Sequence, residues 1–199
     1  MKIAITGTSG IGKTTLAKEL SKVLKIPMLD ENYQGIIEII DKINNAKKEH
    51  LGYLDNELAE AYIKWIKERG EVESNKGSFV SDRCSFDLLS DFLSTNAALS
   101  KPQLTKDLIL ECNKQSANYD LIVVLPLNLW SINLGANEHG MMRQNNFSLK
   151  IKDQSIHIGL LEQFCHSTRI YINPNCSTTA QRIEYIQNVL KQIEQIKRK

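Results

Sequence analysis

The sequence has little of what would tie it to a specialised environment. Its 199 residues include only four cysteines, Cys84, Cys112, Cys165 and Cys176, with no C-x-x-C pair and no histidine at zinc-finger spacing. Neither a disulfide framework nor a thiolate metal site is expected. Cys165 and His166 are neighbours, yet adjacent residues on a helix or strand point in different directions, so free thiols in a reducing compartment are the simpler reading. An excess of one charge is missing too. The 25 basic and 23 acidic residues are interspersed and leave a net +2, which argues against a nucleic-acid partner. The one dense basic cluster, Lys197, Arg198 and Lys199, suits the last turn of a helix. No apolar run approaches the length of a signal peptide or a membrane span, which predicts a cytoplasmic protein with no membrane partner. Low-complexity tracts are absent, and the length fits one well-filled core better than two, so a single domain over 1–199 is expected.

What the sequence does contain is concentrated near its start. Gly7, Thr8, Ser9, Gly10, Ile11, Gly12, Lys13 and Thr14 match the pattern G-x-x-x-x-G-K-[ST]. Before them, residues 1–6 read as a strand; after them, Leu16, Leu20, Val23 and Leu24 recur at helical spacing. Strand, glycine-rich turn and helix form the context this pattern requires. Glycines let successive N–H groups turn inward on one centre, where a phosphate fits. The first helical turn, with Lys13, Thr14 and Thr15, adds orphan N–H donors and the positive end of the helix dipole. Lys13 adds a mobile charge for the outer phosphates, and the Thr14 hydroxyl is a ligand for magnesium. The expected ligand is therefore a magnesium nucleoside triphosphate. Average residue usage gives the pattern by accident in about one such chain in two hundred, before its position is considered.

The rest of the chain alternates strand and helix patterns. The first helix should run to Lys25, followed by a short strand over 26–29 that ends at Asp30 and Glu31. Acidic residues at the carboxyl end of a strand in an open α/β sheet either face a ligand or form a solvated turn. Ile36, Ile39, Ile40 and Ile43 define one helical face, and Leu54, Leu58, Ala61, Tyr62, Trp65 and Ile66 another, for which Gly70 is the expected stop. The strand over 78–82 ends in Asp82 and Arg83, with Ser85 as the expected cap of the next helix. Asp82 is a candidate magnesium ligand or proton acceptor, and Arg83 a candidate phosphate or acceptor contact. Helical pattern continues over 86–118 with a break before Pro102. Residues 119–126 are apolar on both faces, as in a central parallel strand. A polar stretch follows, and 128–153 is the expected lid, with Arg143 placed to close on the transferred phosphate. Lys150 and Lys152 are further positive groups that a closing lid could bring onto that phosphate, although a solvated basic face is the simpler reading of both. A further helix, a strand over 169–172 and a last helix complete five strands alternating with helices, a three-layer α/β/α sandwich. The last helix carries Ile183, Ile186, Leu190 and Ile193 on one face, which either meets the core or pairs two chains in a homodimer.

The glycine-rich loop resembles that of the P-loop nucleoside triphosphate-binding superfamily. Asp82-Arg83 with Ser85 and Asp87, the Tyr119-Asp120 strand, and the segment Gly140-Met141-Met142-Arg143 are similar to those of ATP-binding proteins related to ribosylnicotinamide kinases, near the deoxynucleoside and thymidylate kinases. That resemblance implies strand order 2-3-1-4-5, ATP on the loop with Mg2+, and an acceptor beyond the carboxyl ends of the second and third strands. It places Glu31 at the acceptor, Asp82 at the carboxylate of an Asp-Arg motif, and Arg143 at the arginine of an Asp-Gly-x-Arg segment. His139 stands in place of that aspartate, and Gln34 where relatives often carry arginine. The implied activity is transfer of the γ-phosphoryl group of Mg-ATP to a small nucleoside- or nucleotide-like acceptor. The rival readings are an ATPase or nucleotide-dependent switch acting on a partner protein, and a non-catalytic nucleotide-binding module.

Overall fold

In the computed structural model, residues 1–30, 34–45, 51–127, 146–173 and 175–197 are described. Five strands carry the fold: β1 (Lys2–Thr6), β2 (Met28–Leu29), β3 (Phe79–Asp82), β4 (Leu121–Val124) and β5 (Arg169–Tyr171). The helices between and after them are α1 (Lys13–Leu24), α2 (Gln34–Asn45), α3 (Leu51–Asn75), α4 (Ser85–Leu93), α5 (Asn96–Ser100), α6 (Pro102–Ser116), α7 (Phe147–Phe164) and α8 (Thr179–Lys197). All strand pairs are parallel, in the order β2-β3-β1-β4-β5. Both the three-layer architecture and the expected strand order are observed.

Strand pleating divides the core. Ala4, Phe79, Ile122 and Val124 face a cluster built with α2, α3, α4, α6 and α7, whereas Ile3, Ile5, Val80, Leu121 and Val123 face α1 and α8. Because β1 and β4 are covered on both faces, they read as largely continuous apolar runs rather than alternating ones. Tyr62 is buried against Phe92, with ring centroids 5.5 Å apart, so its place on the α3 stripe reflects packing. In α8, Ile186 and Leu190 are buried against the α1 side of the sheet, so a core-facing stripe accounts for that pattern.

Gly70 does not stop its helix; α3 runs through it to Asn75. A Cβ at Gly70 would stand 2.4 Å from Gln115 Nε2 on α6, so the residue is small because two helices meet there, not because the chain turns. The Gln115 side chain that fills this space donates to Ile66 O at 2.9 Å.

The carboxyl edge of the sheet is tied to α3 through Arg69. Its guanidinium donates to Asp30 O at 2.8 Å, to Ser81 Oγ, and to Asp82 O at 3.4 Å, so one side chain sets the ends of β2 and β3 together. Glu73, fully buried one turn further on, accepts from Arg69 Nε at 2.6 Å and from the Tyr119 hydroxyl at 2.5 Å. Burial, and then the neighbouring Glu73 carboxylate, hold the Tyr119 hydroxyl well above its ordinary pKa, so it remains a donor. Glu73→Ala removes the carboxylate that pairs with the half-buried Arg69 guanidinium and accepts from Tyr119, and should lower unfolding free energy by about 3 kcal/mol. Tyr119→Phe, which removes a donor but leaves Arg69 paired, should cost about 1–2 kcal/mol. Denaturant unfolding of the two variants checks the order.

Candidate functional site

The loop between β1 and α1 is shaped by three glycines at positive φ: Gly7 at 137°, Gly10 at 85° and Gly12 at 91°. Gly7 also has no room for a side chain. A Cβ there would lie 2.6 Å from Ile11 Cδ1 and 2.9 Å from Leu125 O, just beyond β4. Gly12 is the left-handed residue that opens α1. Inside the curve, the Lys13 ammonium donates to Gly7 O at 2.7 Å and Thr8 O at 2.8 Å. From the α8 side, Arg182 donates to Ile11 O at 3.1 Å and to Cys176 O at 3.0 Å.

The opposite flank rests on α4 and α7. Thr6 Oγ1 donates to Asp87 Oδ2 at 2.5 Å and lies 2.6 Å from His157 Nε2. A threonine hydroxyl has one hydrogen, so with Asp87 ionised the His157 ring must present Nε2–H to Thr6. Asp87 Oδ2 also accepts from Cys84 N at 2.9 Å, and its Oδ1 faces Gly7 N at 3.4 Å. The cap of α4 is therefore Cys84, one residue before the expected Ser85, and the Asp87 carboxylate receives its amide. Further along, Thr8 N donates to Gln154 Oε1 at 3.3 Å and Lys150 Nζ donates to Ser9 O at 3.0 Å. Lys150 is only 2% exposed, so it belongs to no solvated face.

Electrostatics follow from this burial. Desolvation alone would raise the Asp87 carboxyl, but its pairing with His157 and the charges of Arg83 and Lys13 outweigh it and hold the group below the ordinary range. His157 is held below its ordinary value, chiefly by burial, against the pull of Asp87. Cys84 is pushed well up by burial and the nearby Asp87 charge, which makes it an inert thiol.

Asp82 ends β3 beside the loop, 2% exposed, and its Oδ1 has no hydrogen-bond partner among the described residues. Burial raises its pKa, while a hydrogen bond from Thr14 and the charges of Lys13 and Arg83 oppose the rise. A buried carboxylate oxygen left over beside a threonine hydroxyl is the donor chemistry magnesium takes. Among the described residues no three His, Cys, Asp or Glu side chains gather as a metal site. A cation here would thus need phosphate oxygens or water to complete its shell, as magnesium usually does.

Arg83 follows at φ 72°, a left-handed conformation rare for a side-chain-bearing residue. Its amide donates to Ile5 O at 2.9 Å, and its guanidinium reaches Asp91 at 3.5 Å. Residues held in such conformations cluster at functional sites. Arg83 also borders a cavity of about 130 Å³ whose wall includes Gly7, Thr8, Ser9, Asp91 and His157. A larger cavity of about 450 Å³ lies between α3 and α6 at the other end of the strands, among Lys67, Glu71, Glu111 and Lys114, away from the loop.

Comparison with known proteins fits this geometry. The model of a family described as an AAA domain matches residues 2–163. The chain belongs to that family. No curated protein matches the chain. Among solved structures, it is similar to a deoxyadenosine kinase from M. mycoides with dCMP and dCDP bound, at 18% identity over 97% of this chain and 100% of that one, with a TM-score of 0.66. It is also similar to the thymidylate kinase of Candida albicans, at 16% identity over 97% and 92% of the two chains, with a TM-score of 0.56. The YorR protein of Bacillus subtilis is a third, at 12% identity over 96% of each chain, with a TM-score of 0.55. At these identities the likeness is one of fold: this AAA domain adopts the P-loop architecture of the nucleoside and nucleotide kinases.

Of the residues singled out in the sequence of this AAA domain, Gly7, Thr8, Ser9, Gly10, Ile11, Gly12, Lys13, Thr14 and Thr15 form the loop and first turn, with Asp82 and Arg83 alongside. Glu31, His139 and Arg143 lie outside the described residues, as does all but the end of 128–153, whose last seven residues begin α7. Sequence reasoning named Asp87 only within the resemblance and read Lys150 as solvated, and it passed over Gln154, His157 and Arg182. The available signal was the spacing of Lys150, Gln154 and His157, which puts three polar residues on one face of α7.

Two outcomes are expected for this AAA domain. Gly7→Ala should abolish nucleotide binding measured by calorimetry, because both its φ and its neighbours exclude a methyl group. The second concerns pH. A histidine with a folded pKa below its unfolded value near 6.5 leaves the unfolded chain binding the extra proton first. Its contribution is complete above about pH 6.5 and is lost as pH falls, at up to about 1.4 kcal/mol per unit. Asp87, held low, adds a further loss only in the acid range below about pH 4. Between pH 7 and 5.5, His157→Asn should therefore show a flatter stability profile than the parent; parallel profiles would refute the assignment.

Proposed function

We propose that this chain, over 1–199, is a cytoplasmic kinase that transfers the γ-phosphoryl group of Mg-ATP to a hydroxyl or phosphate of a small nucleoside- or nucleotide-like acceptor. The observation that carries the reading is the buried, unpartnered Asp82 Oδ1 at the end of β3, set beside Thr14 and the charge of Lys13. An ordinary strand end has no need of such an arrangement, whereas phosphoryl transfer needs a carboxylate, a hydroxyl and a lysine at one place.

In this mechanism the amides of residues 10–15 and the Lys13 ammonium bind the triphosphate. Lys13 leaves Gly7 O and Thr8 O for phosphate oxygens, exchanging neutral acceptors for charged ones. Thr14 and Asp82 would hold magnesium, which would supply charge neutralisation at the transferred group. Alternatively Asp82 accepts the proton of the attacking hydroxyl, a role that its raised pKa also suits. Arg83 orients the acceptor at the cavity edge, with Glu31 facing it, and Arg143 closes over the transferred phosphate. The similarity in fold to kinases of deoxyadenosine and thymidylate supports an acceptor of that size.

The test is ADP release from Mg-ATP with pooled nucleosides, deoxynucleosides and their monophosphates, against a control without acceptor. One pool should stimulate release, and Lys13→Ala should reduce stimulated turnover by a factor of 10³ or so, on the order of 4 kcal/mol of lost stabilisation. Equal release without acceptor would favour a hydrolase or switch; ATP binding without turnover would favour a binding module.

A further inference from the structure

The cavity of about 450 Å³ between α3 and α6 lies away from the glycine-rich loop and takes no part in the proposed transfer. Its size is that of a small-molecule site. The two helices run parallel there: Gln115 Nε2 on α6 donates to Ile66 O on α3, and Asn118 Nδ2, just past α6, donates to Ser74 Oγ at 3.3 Å. That register places Lys67 near the level of Glu111 and Glu71 near that of Lys114, all four in the cavity wall. Each helix thus offers one charge of each sign.

These charges are not spent on one another. Elsewhere on α3, Lys64 and Glu68 close to 3.8 Å at i, i+4 spacing. Lys67 and Glu71 have the same spacing three residues on, yet neither they nor Lys114 forms an ion pair among the described residues. A polyanion entering the cavity would meet Glu71 and Glu111, and a metal ion would meet Lys67 and Lys114. The balance suits a ligand that carries both signs.

Gln115 adds the selective contact. It is 3% exposed, and its two amide hydrogens go to Ile66 O at 2.9 Å and Glu111 Oε1 at 2.8 Å. Both partners are acceptors, so the amide cannot exchange its nitrogen and oxygen. Gln115 therefore stands in the cavity wall with a buried Oε1 that has no donor among the described residues. A buried carbonyl oxygen without a donor is costly, and a ligand N–H removes that cost.

We propose that this cavity binds a small zwitterion of the amino acid class, with its ammonium on Gln115 Oε1 between Glu71 and Glu111 and its carboxylate within reach of Lys67 and Lys114. The site is separate from the nucleotide reading of the loop and does not depend on it.

The experiment is a thermal-shift screen of the full chain against the individual proteinogenic amino acids, each at about 10 mM, followed by calorimetric titration of those that stabilise it. At least one should raise the unfolding temperature and saturate at one molecule per chain. The same amino acid with its nitrogen trimethylated keeps both charges but has no N–H to give, and should bind about tenfold more weakly or worse. Glu71→Gln and the double variant Lys67→Gln, Lys114→Gln change exposed side chains, and each should weaken binding about tenfold while the unliganded chain unfolds near the parent temperature. Gln115→Met should abolish binding; if that variant fails to fold, the charge variants and the trimethylated ligand decide the matter. No stabilisation by any amino acid would mean that water alone meets the Gln115 oxygen, and would overturn the proposal. Binding that survives the charge variants, or a trimethylated ligand that binds as well as its parent, would overturn it too. None of these outcomes touches phosphoryl transfer at the loop.

Discussion

The buried carboxylate of Asp87 is what the candidate site depends on. It receives the Thr6 hydroxyl, the Cys84 amide that caps α4, and the amide of Gly7. One side chain thereby joins the end of the central strand, the start of the loop and the start of a helix. Without water to solvate it, an ionised carboxylate is tolerated there only because those donors and the positive field of Arg83 and Lys13 surround it. Asp87 thus takes the amide of Gly7 for anchoring, as Gln154 takes that of Thr8. His157 and Gln154 extend the anchoring to α7, and Arg182 supplies the matching support from α8. The loop is clasped from both layers of the sandwich.

The parts of this arrangement differ in how visible they were in the residues. The loop was legible because its chemistry is local: three glycines, a lysine and a threonine act within eight positions, and strand and helix patterns flank them directly. Strand order followed from the same resemblance. The anchors were not legible, because their partners are distant. Asp87 stands 81 positions from Thr6, and Lys150 141 positions from Ser9. Apolar residues are spread around α7, with Phe147, Leu149 and Ile151 partly exposed and Leu160 and Leu161 buried, so no single stripe marked which polar face turned inward. Gly70 misled for a related reason. A glycine in a helical pattern signals an end or a close approach, and only the position of Gln115 distinguishes the two. The shift of the α4 cap from Ser85 to Cys84 arose because a tertiary carboxylate, not a local hydroxyl, satisfies the helix amide.

Arg69, Asp82 and Arg83 show how strain and order are shared at the carboxyl edge. The Arg69 guanidinium fixes the carbonyls of Asp30 and Asp82, which leaves the short β2 strand little freedom relative to β3. Arg83 then turns sharply through a left-handed conformation, so that Asp82 points toward the loop while the next side chain reaches α4. Replacing that turn by a relaxed extended residue would carry the chain away from the cavity. The cost of the conformation, about 1 kcal/mol or more, is met by the hydrogen bond of its amide to Ile5 and by the packing around α4.

The place of β1 in the sheet also bears on how the protein reaches this structure. It pairs with β3 on one side and β4 on the other, so Ile3 finds its neighbours at Val80 and Leu121. During synthesis, the strand that carries the loop precedes both partners, and its β4 edge stays unpaired until more than half of the chain has been made. Parallel pairings of this separation form slowly, because the intervening chain must be ordered before they contribute. An apolar central strand exposed for that interval is open to wrong partners, and it is the element that a chaperone holding the nascent chain would have most reason to cover.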